Sequence, residues 1–193
     1  MRPTLLLPFA AGTLAGAVLM SPATPAARQA AQAPPAPAFT QAAPEAWLNT
    51  APLSWEALRG SVTLVEFWTF ACWNCYRSIP WLRTLEPRYG QRGFRIVSIH
   101  TPEFAHERER ANVVAKLREL RVEYPVMLDN DYAYWNAFGN RYWPAFYLVD
   151  TEGRVRASFA GETHAGDRNA RAMEAAIESL LGERAASGST GAP

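Results

Sequence analysis

Residues 67–75 read Phe-Trp-Thr-Phe-Ala-Cys-Trp-Asn-Cys and contain both cysteines of the chain, Cys72 and Cys75, in a C-x-x-C motif. The preceding run, Val62 to Phe67, is apolar and β-branched, which is typical of a strand covered on both faces. Helical spacing begins at Cys72 and continues beyond Pro80, where we expect a kink because proline cannot donate a backbone hydrogen bond. The stretch therefore predicts a buried strand leading into a helix, with the cysteines at the junction.

The rest of the chain alternates between strand and helix patterns. Short apolar runs at 94–99, 145–149 and 155–159 predict strands, and the turn between the last two predicts an antiparallel hairpin. Apolar residues recur at helical spacing over 113–120 and 173–181. This alternation predicts an α/β domain.

Charge and composition exclude several classes of function. The 193 residues carry 19 Lys and Arg against 18 Asp and Glu, a net charge of +1, with 49% hydrophobic residues. Such a chain can bury one full-sized core, but it has no broad positive field to hold nucleic acid or an anionic membrane surface. Nucleic acid and other polyanionic partners are therefore not expected.

The first 21 residues predict export. Arg2 precedes the apolar run 4–20, which is interrupted only by Thr13, and small residues suited to signal cleavage follow. The run is short for a bilayer span, so a cleaved signal peptide is favoured over an N-terminal membrane anchor. We expect an exported, periplasmic or extracytoplasmic protein.

Composition also predicts the domain boundaries. Residues 22–45 are mostly Ala, Pro and Gln, a composition expected to form a disordered linker. Residues 46–182 are predicted to form the single folded domain, and residues 183–193 a flexible tail.

The C-x-x-C motif has three readings: a redox dithiol, half of a zinc site, or a local structural bridge. Cys72 would lie at a helix N-terminus, where free amides and the helix dipole favour a thiolate, and Cys75 would be shielded one turn later. Zinc needs two more ligands, and the three histidines of the chain form no close pair. A bridge of this spacing constrains the unfolded chain little. The redox reading is favoured, without a metal.

Three further features surround the motif. Glu66 lies in the buried run and is interpreted as the proton acceptor for Cys75, with a solvated, bent strand as the alternative. Pro144 stands at the entry of a strand, where a cis Trp143-Pro144 bond is one possibility. Trp73 and Trp143 flank the site and are candidates for an apolar rim that contacts a partner peptide.

The motif at 67–75, followed by Pro80, resembles the active-site strand and helix of thioredoxins. The segments Ile-His-Thr-Pro-Glu-Phe at 99–104, Asp-Asn-Asp-Tyr at 129–132 and Asn-Arg-Tyr-Trp-Pro at 140–144 more closely resemble the extracytoplasmic TlpA, ResA and DipZ-like group of thiol:disulfide oxidoreductases. This resemblance covers about residues 47–181.

The resemblance implies a thioredoxin-like fold with a central mixed sheet flanked by helices. It also implies that Cys72 is the nucleophile, Cys75 the resolving thiol and Pro144 the cis-proline beside which substrate docks, with Glu66 at the buried acidic position. No cofactor is implied. An exported dithiol of this kind exchanges with protein thiols or disulfides and needs a redox partner, which we expect to span the membrane.

The chain departs from classical thioredoxins in its intervening dipeptide, Trp73-Asn74 rather than Gly-Pro, so their redox potential does not transfer. Two alternatives stay open. A redoxin-type peroxidase would use a Pro-x-x-x-Thr-x-x-Cys arrangement, which is missing. A non-catalytic binding module would use Trp73 and Trp143 as a contact surface, although such modules tend to lose a cysteine.

Overall fold

A computed structural model describes residues 32–189. The fold is a six-stranded mixed sheet, in the order β1-β4-β3-β2-β5-β6, flanked by helices. The strands are β1 Trp47–Leu48, β2 Val62–Trp68, β3 Phe94–His100, β4 Val126–Leu128, β5 Ala145–Val149 and β6 Val155–Ala160. The helices are α1 Trp55–Leu58, α2 Trp73–Leu82, α3 Leu85–Tyr89, α4 Arg110–Leu120, α5 Ala133–Ala137 and α6 Arg168–Ser189, with 3₁₀ turns at Pro44–Ala46, Gly90–Arg92 and Ala105–Arg108. The predicted α/β class and mixed sheet are confirmed.

Strand β2 is the centre of the sheet. All seven of its residues are buried, and it pairs in parallel with β3 and antiparallel with β5. The register joins Trp68 to His100 and Phe67 to Ala145, so the end of β2, the end of β3 and the start of β5 meet at one end of the sheet. The chain enters α2 from this end, which places the C-x-x-C motif there.

Successive side chains of β2 point to opposite faces of the sheet, and each face packs into its own apolar layer. Leu64 and Trp68 pack into the layer that contains the buried side of α2, whereas Val65 and Phe67 pack into the other layer. Glu66 alternates with the second pair, so its carboxylate lies on the same side of the sheet as α2.

Residues 32–45 differ from the predicted disordered linker. The Phe39 ring stacks on Trp55 at 5.1 Å and on Tyr134 at 5.2 Å, and the Ala36 amide donates to the Gly153 carbonyl at 2.8 Å. The average composition of this Ala- and Pro-rich stretch does not reflect the contribution of a single packed aromatic side chain. In addition, prolines restrict the unfolded chain and so lower the entropic cost of ordering it. Residues 22–31 lie outside the described part.

The predicted flexible tail from residue 183 is also wrong over its first part, because α6 continues to Ser189. Arg184 donates to the Gly60 carbonyl at 2.6 Å, and Glu183 accepts from Arg156 at 3.0 Å. These contacts hold the C-terminal part of the helix against the domain. The prediction had ended the folded domain at Gly182, and the sequence there gives no sign of these contacts. Residues 190–193 lie outside the described part.

Four short elements escaped the sequence patterns: β1, β4, α1 and α5. Each is five residues or shorter, too brief for periodicity to identify. The predicted helix after Cys72 is also divided, since α2 ends two residues after Pro80 and α3 begins at Leu85.

The predicted signal peptide or anchor at 1–21 falls outside the described residues. Among residues 32–189, none of the helices has the length and apolar character needed to cross a membrane.

Candidate dithiol active site

The two cysteines occupy different environments although they are one helical turn apart. Cys72 is the N-cap of α2, and its sulfur accepts a hydrogen bond from the Cys75 amide at 3.2 Å. Cys72 is half-buried, whereas Cys75 is fully buried in the apolar layer beneath α2. Neither thiol is bonded to another cysteine, so the structure represents the dithiol form.

These environments separate the acidities of the two thiols. The hydrogen bond from the Cys75 thiol, assisted by the amides of Cys75 and Asn74, lowers the pKa of Cys72 to about 7 despite partial burial. Burial raises the pKa of Cys75, and the hydrogen bond to Cys72 and the Cys72 charge raise it further. Near neutral pH the reactive thiolate therefore forms at Cys72.

Glu66 is fully buried in β2, so the alternative of a solvated strand residue is wrong. Its Oε2 accepts from the Ser98 hydroxyl at 2.9 Å and from the Tyr124 hydroxyl at 3.5 Å. Its Oε1 is buried without a hydrogen-bond partner among the described residues. Burial outweighs these bonds and raises the pKa of Glu66 to about 7. The negative charge of Glu66 in turn raises the pKa of Cys75, so the two groups interact.

The Trp143-Pro144 peptide bond is cis, which confirms that prediction. Pro144 is buried and immediately precedes β5, at the end of the sheet where β2 leads to Cys72. Trp143 is partly buried, packs against Trp135 at 4.2 Å and donates its indole N–H to the Thr101 carbonyl at 3.1 Å.

The apolar surface near the dithiol differs in detail from the predicted pair of tryptophans. Trp73 is 67% exposed and stacks on Tyr76, whereas Trp143 is held largely within the structure. Phe104 and Tyr142, at 50% and 62% exposure, also present aromatic side chains near this end. Sequence reasoning missed both, although each stands inside a segment that carries the family resemblance.

A second buried carboxylate, Glu107, was also missed. Its Oε1 accepts from the Thr69 hydroxyl and from the Ala71 amide, the latter at 2.8 Å. Its Oε2 accepts from the amides of Glu103 and Phe104, both at 2.7 Å. Burial alone would raise the pKa of Glu107, but these hydrogen bonds outweigh it and lower the pKa. In the sequence Glu107 stands among charged neighbours at 107–110 and looks like any solvated residue.

His100, at the end of β3, is buried between the rings of Trp68 and Phe70. Burial lowers its pKa to about 4, so the imidazole is neutral at physiological pH. Within residues 32–189 no group of three or more His, Cys, Asp or Glu side chains is placed to hold a metal ion.

The peroxidase arrangement is incomplete at the same site. Thr69 stands three residues before Cys72, but Val65 occupies the position where that arrangement has proline. The Thr69 hydroxyl donates to Glu107. Thus the threonine of the peroxidase arrangement is present but its proline is not, and the threonine hydroxyl binds Glu107.

A C-x-x-C motif at a helix N-terminus, beside a cis-proline on a central mixed sheet, defines a thioredoxin-fold dithiol protein. Comparison with protein-family models matches residues 31–177 to the family described as Redoxin. The chain belongs to the redoxin family.

Two relatives illustrate the range of the similarity. Protein DipZ of Mycobacterium tuberculosis is 41% identical over 140 residues, which cover 71% of this chain but only 19% of DipZ. The thiol-disulfide oxidoreductase YkuV of Bacillus subtilis is 26% identical over 72% of this chain and 90% of its own length. The chain therefore corresponds to a small part of DipZ and to nearly all of YkuV.

Solved structures show the same fold. A thioredoxin-like protein solved in solution in its oxidized form is 27% identical, with a TM-score of 0.65, and covers 78% of this chain and 97% of its own. A protein described as a putative thiol:disulfide interchange protein DsbE, from Chlorobium tepidum, is 23% identical with a TM-score of 0.65, covering 77% and 96%.

Proposed function

We propose that the protein is an exported thiol:disulfide oxidoreductase that exchanges its Cys72-Cys75 pair with protein substrates through a mixed disulfide. The observation that carries the proposal is the asymmetry of the pair: Cys72 is half-buried with a lowered pKa, whereas Cys75 is buried beneath it with a raised pKa. A dithiol with one accessible thiolate and one protected thiol is suited to two sequential exchanges.

In the reducing direction, the Cys72 thiolate attacks one sulfur of a substrate disulfide, and the other substrate sulfur leaves as a thiolate. Cys75 then transfers its proton to the Glu66 carboxylate and attacks the Cys72 sulfur. This step releases the second substrate thiolate and forms the Cys72-Cys75 disulfide. The substrate gains two electrons and the protein loses two. The oxidising direction is the reverse sequence.

Glu66 is suited to the proton transfer because a general base works best when its pKa is near the working pH. Its pKa of about 7 leaves part of the carboxylate ionised at neutral pH. Its Oε1, which accepts no hydrogen bond from the described residues, keeps one acceptor position available.

Trp73, Trp143 and Pro144 are proposed to contact the substrate. The backbone before Pro144 lies at the end of the sheet that bears the dithiol, and it would hold an extended substrate segment beside Cys72. Trp73 offers an exposed aromatic face on the same helix as the dithiol, and Trp143 shapes the adjoining surface.

Export and a membrane-spanning redox partner complete the proposal. The apolar sequence at 4–20 supports export, with a cleaved signal peptide or an uncleaved anchor. Each exchange with a substrate leaves the Cys72-Cys75 pair in the opposite redox state, so a partner must restore it. For an exported protein, that partner would receive or supply electrons across the membrane. The chemistry itself requires no cofactor.

The test is a trapping experiment. Cys75→Ser should accumulate a mixed disulfide with substrate, because the first exchange proceeds and the second cannot, whereas the matched Cys72→Ser should trap none. In the reduced wild-type protein, iodoacetamide should label Cys72 before Cys75.

Absence of an adduct from both variants would favour the binding-module alternative. Rapid consumption of hydrogen peroxide by Cys75→Ser, without protein adducts, would favour the peroxidase alternative. Labelling of Cys75 before Cys72 would reverse the assignment of the two roles.

A further inference from the structure

The four hydrogen bonds of Glu107 join two separate segments at the dithiol. One oxygen binds the segment that leads into Cys72, through Thr69 and Ala71, and the other binds the loop that contains Glu103 and Phe104. Three of the four donors are backbone amides, so the carboxylate fixes the path of the chain rather than a side-chain rotamer.

The hydrogen bonds of Glu107 do more than offset the cost of burying its charge, because they join two segments of the chain. A buried carboxylate is costly unless it is well hydrogen-bonded, and here both oxygens are occupied by donors from different segments. Loss of the charge would leave these partly buried amides facing a weaker acceptor, and the loop would be released from the residue next to Cys72.

We propose that Glu107 is a positioning residue for the dithiol, which fastens the 101–107 loop to the segment before Cys72 and so holds the Glu103 carboxylate within electrostatic reach of the Cys72 sulfur. Glu103 is exposed, and its backbone amide is joined through Glu107 to the Ala71 amide. Glu107 therefore holds the loop that carries Glu103 against the residue that precedes the nucleophile.

Several ionisable groups face Cys72, and their effects oppose one another. The Cys75 thiol, on α2, favours the Cys72 thiolate by hydrogen bonding, whereas the Glu103 carboxylate, in the loop, opposes it by charge repulsion. Glu66, on β2, interacts electrostatically with Cys72 as well. Of these groups only Glu103 is exposed, so its influence depends on how firmly the loop is held.

The inference rests on the proposed role of Cys72 as the attacking thiolate, but its test needs no exchange activity. The ionisation of Cys72 is followed in the full reduced chain by thiolate absorbance against pH, and by the rate of iodoacetamide labelling at pH 6. A protein that fails to trap substrate would disprove the proposed function and leave these titrations interpretable.

Glu103→Gln should lower the pH at which Cys72 ionises and increase labelling at pH 6 by about two- to threefold, because a nearby negative charge is removed. Glu107→Gln should act in the same direction, because the released loop carries Glu103 away. In the double variant Cys72 should ionise at the same pH as in Glu107→Gln alone. Once the loop has moved, the Glu103 charge no longer acts on Cys72, so its removal has no further effect. Glu109→Gln, an exposed neighbour, is the matched control and should leave the titration unchanged.

Additive effects in the double variant would overturn the proposal, because they would mean that Glu107 acts on Cys72 by its own charge. A fall in melting temperature without any change in Cys72 ionisation would also overturn it, leaving a purely structural role. If Glu107→Gln does not fold, Thr69→Val removes one of the four bonds and takes its place, with the same expected direction and the same contradicting outcomes.

Discussion

Glu66 and Glu107 are both buried glutamates near the dithiol, yet their surroundings give them opposite properties. Glu107 accepts four hydrogen bonds that occupy both oxygens, and its pKa is lowered. Glu66 accepts two bonds on one oxygen, whereas its other oxygen has no partner in the part of the chain that the structure describes, and its pKa is raised to about 7. Burial acts on both groups in the same direction, so hydrogen bonding decides the difference.

This difference in hydrogen bonding suits the two carboxylates to different roles. A carboxylate satisfied on both oxygens stays ionised and holds backbone in place, whereas one left partly unsatisfied changes its protonation near neutral pH and is suited to move a proton. Glu107 joins the segment before Cys72 to the 101–107 loop, whereas Glu66 lies in the central strand and interacts electrostatically with Cys75.

The largest expected effect is kinetic. Glu66→Gln keeps the side-chain shape but removes the titrating group, so release of the mixed disulfide at pH 7 should slow by about a hundredfold to ten-thousandfold. The initial attack by Cys72 should change little. Single-turnover kinetics with a chromogenic disulfide follow both steps, and Glu109→Gln provides an exposed glutamate as control.

Release should recover as pH rises, because Cys75 then ionises without assistance. Equal release by the variant and the wild type from pH 6 to pH 9 would remove Glu66 from the mechanism and leave water as the base.

The next effects are on stability, and they should have opposite signs. For Glu66 the folded-state pKa of about 7 lies above the ordinary value of 4.5, so its contribution is present below pH 4.5 and is lost as pH rises to about 7. For Glu107 the lowered pKa means that its contribution is present above the ordinary value and is lost as pH falls through the folded-state pKa.

At pH 8, Glu107→Gln should therefore destabilise the reduced protein by about 4 kcal/mol, the scale of two lost charge-assisted hydrogen bonds. Glu66→Gln should stabilise it, by on the order of 3 kcal/mol, and this gain should shrink towards pH 5. Urea unfolding at the two pH values measures both. If both variants shifted stability in the same direction at pH 8, hydrogen bonding would not be what distinguishes the two carboxylates.

The smallest effect tests the cause of the Glu66 pKa. Ser98→Ala removes a donor to the Glu66 carboxylate, so the pKa should rise further, by about half a unit on the scale of one net hydrogen bond. The pH profile of mixed-disulfide release should shift upward by the same amount. Thr63→Val removes a buried hydroxyl from β2, the strand of Glu66, and should leave the profile in place because this hydroxyl has no hydrogen-bond partner within residues 32–189. An unshifted profile in Ser98→Ala would mean that the Ser98 hydrogen bond does not hold down the pKa of Glu66.

Local sequence patterns were enough to predict the central strand, the helix that follows it and the two cysteines at their junction. These features depend on local patterns: a run of apolar residues too continuous for an exposed strand, a helical period, and a C-x-x-C spacing that few chemistries use. The buried position of Glu66 followed from the same run, because a charged residue inside it has few ways to reach water.

Family resemblance, rather than periodicity, favoured the cis bond at Trp143-Pro144. The predictions for residues 32–45 and 183–189 were wrong because composition averages over many residues. The stacked Phe39 ring and backbone hydrogen bonds such as that from Ala36 to Gly153 hold residues 32–45 against the domain. Arg184 joins the last helix to two distant carbonyls, those of Gly60 and Arg92.

The difference between Glu107 and its charged neighbours, and that between Glu66 and Glu107, arise from contacts formed when the chain folds. A glutamate carries the same carboxylate everywhere, and its pKa depends on which donors from distant parts of the chain reach each oxygen. Those donors come from Thr69 and Ala71 for Glu107, and from Ser98 and Tyr124 for Glu66. They lie 32 to 58 residues away along the chain, and no local pattern records which of them will meet.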